Sequence, residues 1–280
     1  MSGGYAAYAA LPGVNWSTLK HMRVSPLEYQ YQLTAERKDA AHFRIGRAAH
    51  TLVLEPDLFE ARHPIFPGAS RRGKAWDAFV ADYKGEDPGD ILIEREMELA
   101  LGCAEAIRTN PEAMRNLHEG VTEHVITWAD ADTGFPCKGR CDSVNGHLVD
   151  LKSTASIDPR VFPGEAARLG YHGQLAFYLD GLTAMGVLDS GAKVPPVIVA
   201  VESEPPHDVV VWTIPDGTID TGRCLYKRLL LRLAECQDTG IWPGVAPAPL
   251  SLVLPAWAVG ELENEGADQP LTIGGVAMEA

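Results

Sequence analysis

Two aspartates and a lysine stand close together in an otherwise apolar part of the chain, at Asp142, Asp150 and Lys152. The Asn145-Gly146 pair between them predicts the turn of a β-hairpin. Burying ionisable groups in a sheet costs free energy unless they are paired or bind a metal. Two carboxylates that hold a divalent cation, with a lysine that orients or deprotonates water, are what a Mg²⁺-dependent phosphodiesterase needs. The alternative is an exposed ion pair on a surface hairpin, which would have little effect.

The geometry of the turn decides which side chains share a face of this hairpin. Asp150 and Lys152 are two residues apart and therefore point to the same side of their strand. A two-residue turn would place Asp142 on the opposite face. We predict instead a three-residue loop at 144–146, its last residue in the left-handed bulge position, which sets Asp142 opposite Leu148. In that register one face carries Arg140, Asp142, Leu148, Asp150 and Lys152, and the other carries Cys141, Val149 and Leu151.

A helix is predicted after the hairpin, over residues 159–186. Asp158 is a suitable N-cap ahead of a proline, and Pro163-Gly164 predicts a kink. Gln174 and Tyr178 are one helical turn apart and share a face. Taken alone, such residues are more often ordinary surface or core-edge positions, but their place directly after the acidic hairpin makes them site candidates.

A second helix is predicted over residues 43–56, since its small and apolar residues end at Pro56. His50 would lie on or beside the buried face of this helix. A lone histidine in such a place is usually a hydrogen-bonded core residue, so its position alone does not indicate metal binding.

The order of these motifs resembles the RecB-type branch of the PD-(D/E)XK nuclease superfamily, where a D…D-x-K hairpin precedes a helix with Q-x-x-x-Y. The string G-R-A-A-H-x-L-V-L-E-P, at residues 46–56, resembles the corresponding helix of the RecE (exonuclease VIII) family of phage-type exonucleases. The resemblance covers most of residues 14–258. Its weaker outer parts are Trp16–Lys20 with Ser25-Pro26, Gly73–Trp76 and Leu254–Trp257.

The resemblance implies a role for each motif residue. The metal ligands would be Asp142, Asp150, His50 and the backbone carbonyl of Leu151. Lys152 would be the catalytic lysine, with Gln174 and Tyr178 as supports of the active site near the substrate backbone. Glu123, on a predicted strand at 121–129, is an additional acidic candidate, although a strand glutamate is more often simply solvated. The second acid is Asp rather than Glu, which still provides an oxygen ligand on a shorter arm.

The same resemblance implies a fold and an activity. The fold would be α/β, a central mixed β-sheet flanked by helices on both sides around a PD-(D/E)XK (restriction-endonuclease-like) core. The activity would be degradation of the 5′-ended strand of linear duplex DNA, with 5′-phosphate products and 3′ overhangs for a single-strand annealing recombinase. The cofactor would be Mg²⁺, with Mn²⁺ as an alternative. Rings formed by relatives of this type predict a homo-oligomer.

The charge of the chain argues against a nucleic-acid substrate, because its formal net charge is −14 and phosphate binding uses Lys and Arg. Carboxylates that bind a metal are negative by design, however. Arg71, Arg72 and Lys74 cluster beside Trp76, and we expect this segment, together with Arg140, to contact DNA. A solvated loop that opens a helix is the alternative interpretation. We expect a focused basic channel on an acidic body.

Composition and length narrow the classes of protein to which the chain could belong. The 280 residues are 46% hydrophobic, enough for one large domain, expected over residues 1–258 with a flexible acidic tail over 259–280. The sequence offers no transmembrane run, no secretory signal, no Walker loop for ATP and no C-x-x-C for an iron–sulfur cluster. We therefore expect a cytoplasmic protein of a bacterial host, phage- or prophage-encoded.

Two function classes stay open beside the exonuclease. One is a RecB-type nuclease of another mode, an endonuclease or a single-strand trimming enzyme. The other is a non-catalytic DNA-binding or assembly protein with the same fold.

Overall fold

The computed structural model describes residues 5–35, 39–83, 85, 87–189, 194–246, 248–255, 272–273 and 276–277. The chain divides into two compact units, residues 1–242 and 243–280. The tail predicted for residues 259–280 lies outside the described residues apart from two short strands. The first unit contains all the other helices and strands.

The first unit begins with helices and then combines helices with strands. The helices are α1 (Tyr5–Ala10), α2 (Trp16–Leu19), α3 (Pro26–Gln32), α4 (Ala41–Leu54), α5 (Phe59–Arg62), α6 (Lys74–Asp82), α7 (Glu94–Thr109), α8 (Pro111–Leu117), α9 (Phe162–Leu169), α10 (Tyr171–Ala184) and α11 (Asp216–Thr239). The strands are β1 (Ile65–Phe66), β2 (Leu92–Ile93), β3 (Val121–Ala129), β4 (Pro136–Val144), β5 (Leu148–Thr154), β6 (Val197–Glu202) and β7 (Val209–Thr213). Short 3₁₀ helices cover Lys20–Arg23, Pro56–Leu58 and Pro88–Asp90. In the second unit, β8 (Thr272–Ile273) pairs antiparallel with β9 (Val276–Ala277).

The central sheet has five strands in the order β3-β4-β5-β6-β7. Only β5 and β6 are parallel, and the other neighbours are antiparallel. This confirms the predicted mixed sheet. The parallel pair requires a crossover, which α9 and α10 provide between β5 and β6.

Two hydrophobic cores, one on each face, hold the sheet between layers of helices. Alternate residues of β6 separate them: Ile198 packs with α10 and α11, whereas Val197 and Val199 pack with α4 and α7. A strand buried on both faces is apolar throughout, which explains the unbroken V-I-V-A-V sequence of β6. The fold class is therefore α/β with helices on both sides, as expected. No helix among the described residues is long and apolar enough to span a membrane.

The helix predicted over residues 159–186 is two helices, so the expected kink near Pro163-Gly164 was misplaced. The break is at Gly170, whose φ of +79° lies in the left-handed region that favours glycine. The Asp158 side chain accepts the backbone N–H of Arg160 at 2.8 Å instead of capping a helix at Pro159. The new direction taken at Gly170 lets α10 run against the sheet.

The predicted register of the β4–β5 hairpin was also wrong. The two strands pair at Ser143↔Val149 and Val144↔Leu148. The loop therefore consists of residues 145–147, and continuing this register places Asp142 opposite Asp150 rather than Leu148. Gly146 does adopt a left-handed φ of +65°, but as the middle residue of the loop.

Candidate active site

The candidate site lies where β4 and β5 separate beyond their two paired positions. Asp142 reaches across this gap, and its Oδ2 accepts the backbone N–H of Leu151 at 2.7 Å. Cys141, predicted to share a face with Val149 and Leu151, instead packs in the core on the α10 side. The predicted assignment of side chains to the two faces therefore fails along β4. Asp142 still contacts β5, because its carboxylate spans the gap between the two strands.

Asp150 is the most deeply buried acid of the site, with 2% of its side chain exposed. Its Oδ2 lies 2.7 Å from Lys152 Nζ, and its Oδ1 accepts Gln174 Nε2 at 3.1 Å. Burial raises the pKa of Asp150 to about 6, since Lys152 only partly offsets burial and the nearby Asp142 charge adds to it. The three predicted residues Asp150, Lys152 and Gln174 are therefore in direct contact.

Lys152 stays protonated in these surroundings. Burial alone would lower the pKa of its ammonium group, but the carboxylates of Asp150 and Asp142 hold that pKa above its ordinary value. Its Nζ also lies 5.1 Å from the centroid of the Tyr171 ring, a cation–π distance. The lysine is thus a hydrogen-bond donor and a positive charge at neutral pH, not a base.

His50 reaches the site from α4, on the opposite face of the sheet. A Cβ on Gly46 would lie 2.7 Å from Ser153 Oγ, so glycine lets this helix approach β5 without displacing the serine side chain. One turn later, His50 Nδ1 lies 3.9 Å from Asp142 Oδ2. Burial lowers the pKa of His50, while Asp142 and the Leu151 backbone act in the opposite direction. A neutral imidazole is the form that binds metals.

Glu123 stands next to Asp142 in a strained backbone conformation. Its φ of +52° is rare for a residue other than glycine, and the β3–β4 pairs on either side place it across from Asp142. Its carboxylate lies 2.5 Å from Arg140 Nε. Burial and the charge of Asp142 raise the pKa of Glu123 to about 7. Arg140 also contacts Glu55, at 3.3 Å, so it bridges two acids.

Tyr178 lines the site one turn after Gln174. Its ring packs on Gly139, where a Cβ would lie 2.9 Å from two ring carbons. Burial raises the pKa of its hydroxyl well above the ordinary value, so this tyrosine remains protonated. The two helix residues predicted from their spacing thus lie on one side of the site, Gln174 against Asp150 and Tyr178 against β4.

These side chains border a cleft of about 1290 Å³. Its lining includes His50, Glu123, Arg140, Asp142 and Lys152, together with Tyr171 and Tyr178. Sequence reasoning gave no role to Glu55, which follows α4 and ion-pairs with Arg62 and Arg140 at the wall of the cleft. The L-E-P string that contains Glu55 was the available signal.

The residues fit a hard divalent cation by their chemistry. Two carboxylates, an imidazole and a backbone carbonyl are oxygen and nitrogen donors suited to Mg²⁺ or Mn²⁺. The acids crowd one another, as the raised pKa values of Asp150 and Glu123 indicate, and a cation would relieve that repulsion. No three His, Cys, Asp or Glu side chains in the described part of the chain are arranged as a ready-made cage.

The basic segment predicted to bind DNA lies elsewhere. Arg71 Nη2 pairs with Glu96 at 2.6 Å, and its guanidinium stacks 4.9 Å from the centre of the Trp76 ring. Arg72 and Lys74 are exposed to solvent. None of these four residues lines the cleft, whereas Arg140, the fifth predicted DNA contact, does.

Comparison with known proteins agrees with this geometry. A family model described as "PDDEXK-like domain of unknown function (DUF3799)" matches residues 15–247. The crystal structure of a candidate exonuclease from Eubacterium rectale superposes with a TM-score of 0.62 at 16% sequence identity, over 92% of this chain and 97% of that one. The structure of SSO0001 aligns with 84% of this chain and 96% of its own at 13% identity, but its TM-score of 0.28 supports no argument. No curated protein matches the chain.

Proposed function

The chain belongs to the family of PDDEXK-like domains that its residues 15–247 match, and from this premise we propose that it is a divalent-metal-dependent DNA nuclease. The observation that carries the proposal is that Asp142 and Lys152 line one cleft, with Lys152 Nζ 2.7 Å from the buried carboxylate of Asp150 behind it. A buried acid pair beside an ammonium group is costly to fold. This folding cost is explained if the site binds a cation and a phosphate.

The chain's own residues divide the chemistry among them. Asp142, Asp150, His50 and the Leu151 carbonyl would hold the cation. When bound, the cation supplies Lewis-acid activation of water and neutralises charge on the scissile phosphate. Lys152, protonated at neutral pH, donates hydrogen bonds to the attacking water or to the phosphate and stabilises the charge that develops there.

Neighbouring contacts orient these groups. Gln174 donates to Asp150 Oδ1 and so fixes the rotation of that carboxylate. The Leu151 N–H does the same for Asp142. The ring of Tyr178 excludes water from the β4 side of the site. Hydrolysis with inline attack on phosphorus would leave a 5′-phosphate and a free 3′-hydroxyl.

The finer proposal is an exonuclease that degrades the 5′-ended strand of linear duplex DNA and leaves 3′ overhangs. It is supported by the RecE-like motifs, in particular the helix with His50 and the Q-x-x-x-Y pair of Gln174 and Tyr178. A free DNA end, a single-strand annealing recombinase and a second copy of the chain in a ring are the partners that this activity would involve. Sedimentation of the purified protein would test the oligomer.

The test is digestion of linear duplex DNA labelled at either the 5′ or the 3′ end. With Mg²⁺ or Mn²⁺, we expect progressive loss of the 5′-ended strand. EDTA should abolish cleavage, and Asp150→Asn should be inactive in any metal. Cleavage that persists in EDTA, or full activity of Asp150→Asn, would remove the metal site from the mechanism.

Product pattern separates the alternatives. Internal fragments from a closed circular duplex would indicate an endonuclease, and removal of tailed ends alone would indicate single-strand trimming. Binding without any cleavage under every metal condition would indicate a non-catalytic DNA-binding protein.

A further inference from the structure

A second cavity, outside the cleft, follows one face of α11. Its volume is about 580 Å³. Thr221, Arg228 and Arg232 project into it from α11, where intervals of three, four and seven residues keep side chains on one face. Arg23 and His172 complete its polar lining. We call these five residues and the space between them the basic groove.

The charge of the basic groove is opposite to that of the chain. Acidic residues outnumber basic ones 38 to 24 overall, yet no Asp or Glu lines the groove. Within the part of the chain that the structure describes, Arg23, Arg228 and Arg232 form no ion pair, whereas most other arginines do. Unneutralised guanidinium groups that share one cavity attract an anion.

The groove meets the catalytic cleft at Arg23. Its Nη1 donates to the carbonyl of Arg168 at 3.0 Å, and its Nη2 to the carbonyl of Ala167 at 3.3 Å. Arg168 itself lines the cleft. The two cavities are therefore neighbours on either side of the end of α9.

Lys20 adds a further cation at this junction. It lies one turn before Arg23 in the Lys20–Arg23 3₁₀ helix. Burial, and to a lesser extent the positive charges of Lys152 and Arg23, lower its pKa. The junction therefore carries Lys20 as well as Arg23.

We propose that the basic groove binds the phosphodiester backbone of the DNA strand that passes through the cleft. The inference rests on the proposed nuclease function, because it identifies where the substrate continues beyond the site of cleavage. Guanidinium groups bind phosphate oxygens through two parallel hydrogen bonds, and such contacts position a strand without reading its sequence. The groove reconciles an acidic chain with a polyanionic substrate, since the required positive charge is concentrated in one place.

Arg228 is the residue to test, because it is exposed and donates no hydrogen bond to the described chain. Arg23 and Arg232 both hold backbone carbonyls, so replacing them would mix folding with binding. Arg228→Gln removes the charge, and Arg228→Glu reverses it. Arg115→Gln is the matched control: Arg115 is exposed on α8, with 71% of its side chain accessible, and it lines neither cavity.

Binding is measured without cleavage, by fluorescence anisotropy of a labelled linear duplex with the full chain in EDTA over a series of salt concentrations. We expect Arg228→Gln to weaken binding about 3-fold and Arg228→Glu about 10-fold. The slope of log affinity against log salt should become shallower by about 0.9 for Arg228→Gln, the value for one lost phosphate contact on duplex DNA. Arg115→Gln should match the wild type.

Several results would overturn the groove proposal. One is an Arg228→Glu variant, folded by circular dichroism, with wild-type affinity and salt slope. Another is a wild-type protein that shows no salt-dependent DNA binding. A third is an effect of Arg228→Gln confined to duplexes with a 5′-phosphate and absent with a 5′-hydroxyl, since that indicates a site for a terminal phosphate and not for the backbone.

The outcome is separable from that of the nuclease proposal. If the wild type binds DNA through Arg228 but cuts no substrate with any metal, the groove stands and the nuclease proposal fails. If the wild type cuts DNA while Arg228→Glu binds normally, the nuclease proposal stands and the groove fails.

Discussion

Glu96 and Asp150 are both nearly inaccessible carboxylates, yet their surroundings differ in kind. Glu96 accepts Arg44 at 2.5 Å and Arg71 at 2.6 Å, and it also caps its own helix at the Ile93 N–H. Burial opposes ionisation, but these donors hold the pKa of Glu96 below its usual range. Asp150 contacts one lysine, Lys152, and one glutamine, Gln174, and burial raises its pKa to about 6.

The contrast distinguishes a structural charge from a functional one. A carboxylate with every lone pair matched to a cation or N–H stabilises the arrangement around it. The carboxylate of Asp150 lies near the charge of Asp142, and its hydrogen-bond donors offset its burial only in part. Its ionised form is therefore unfavourable in the fold, and a bound cation would stabilise it. Substitutions at the two carboxylates and their neighbours should therefore have different effects on stability and on cleavage.

The largest effect is expected from Lys152→Met. Removing the ammonium group takes away the donor that we propose faces the scissile phosphate, so DNA cleavage should fall about 10³-fold. The rate is measured on end-labelled duplex at saturating Mg²⁺. Lys227→Met, which breaks an ion pair with Asp132 outside the cleft, is the control and should cut at the wild-type rate. Near-normal cleavage by Lys152→Met would make the lysine a structural partner of Asp150.

Of the substitutions at the two carboxylates, Glu96→Gln should destabilise the fold more than Asp150→Asn. It removes the anion that the partly buried Arg44 and Arg71 share, although Arg44 keeps its ion pair with Asp39, at a cost of about 3 kcal/mol in the free energy of unfolding. Asp150→Asn should lose less, because ionised Asp150 is disfavoured in the fold. Urea unfolding of both variants measures the difference, and cleavage per folded molecule should persist in Glu96→Gln. Equal losses would mean that the two sites do not differ.

Divalent cation should stabilise the wild type and not Asp150→Asn. At a concentration of about ten times the Kd, the gain in the free energy of unfolding is about 1.4 kcal/mol. Thermal unfolding with and without Mg²⁺ or Mn²⁺, and with Glu96→Gln as a variant that keeps the site, provides the comparison. A melting temperature that rises equally in Asp150→Asn would locate the cation elsewhere.

Glu123→Gln should give the smallest effect and the clearest dependence on pH. The pKa of Glu123 in the fold, about 7, exceeds its ordinary value of 4.5, so its ionisation costs more in the fold than in the unfolded chain. The free energy of unfolding therefore falls as pH rises from about 4.5 to 7 and stays lower above that range. Without metal, Glu123→Gln should therefore be more stable than the wild type at pH 8.

The two proteins should have equal stability at pH 4, where Glu123 is protonated in both states. Urea unfolding in EDTA at pH 4, 6 and 8 measures this. A stability gain of Glu123→Gln that is the same at all three values would show that neither burial of its charge nor repulsion from Asp142 is the cause.

Much of the site could be predicted from short-range pattern. The two-residue period of a strand pairs Asp150 with Lys152 whatever the loop, and the helical period puts Gln174 and Tyr178 on one side. Strand and helix types followed from the same periodicities, and the strand predicted at 121–129 occurs at those residues as β3.

The features that could not be predicted from the sequence pattern depend on contacts between distant parts of the chain. The side on which Cys141 packs depends on the separation of β4 from β5 and on the left-handed backbone at Glu123, and neither has a signature in the residues. Arg71 looked available for DNA because its partner Glu96 is far along the sequence. The groove around Arg228 was missed because its members come from three elements.

Gly46 has one more consequence. A Cβ at position 46 would meet Ser153 Oγ at 2.7 Å, so a larger residue there would have to turn the Ser153 side chain away or push α4 outward. An outward shift of α4 would lengthen the 3.9 Å between His50 Nδ1 and Asp142 Oδ2. The size of the residue at position 46 therefore bears on how near the imidazole lies to the acids of the sheet.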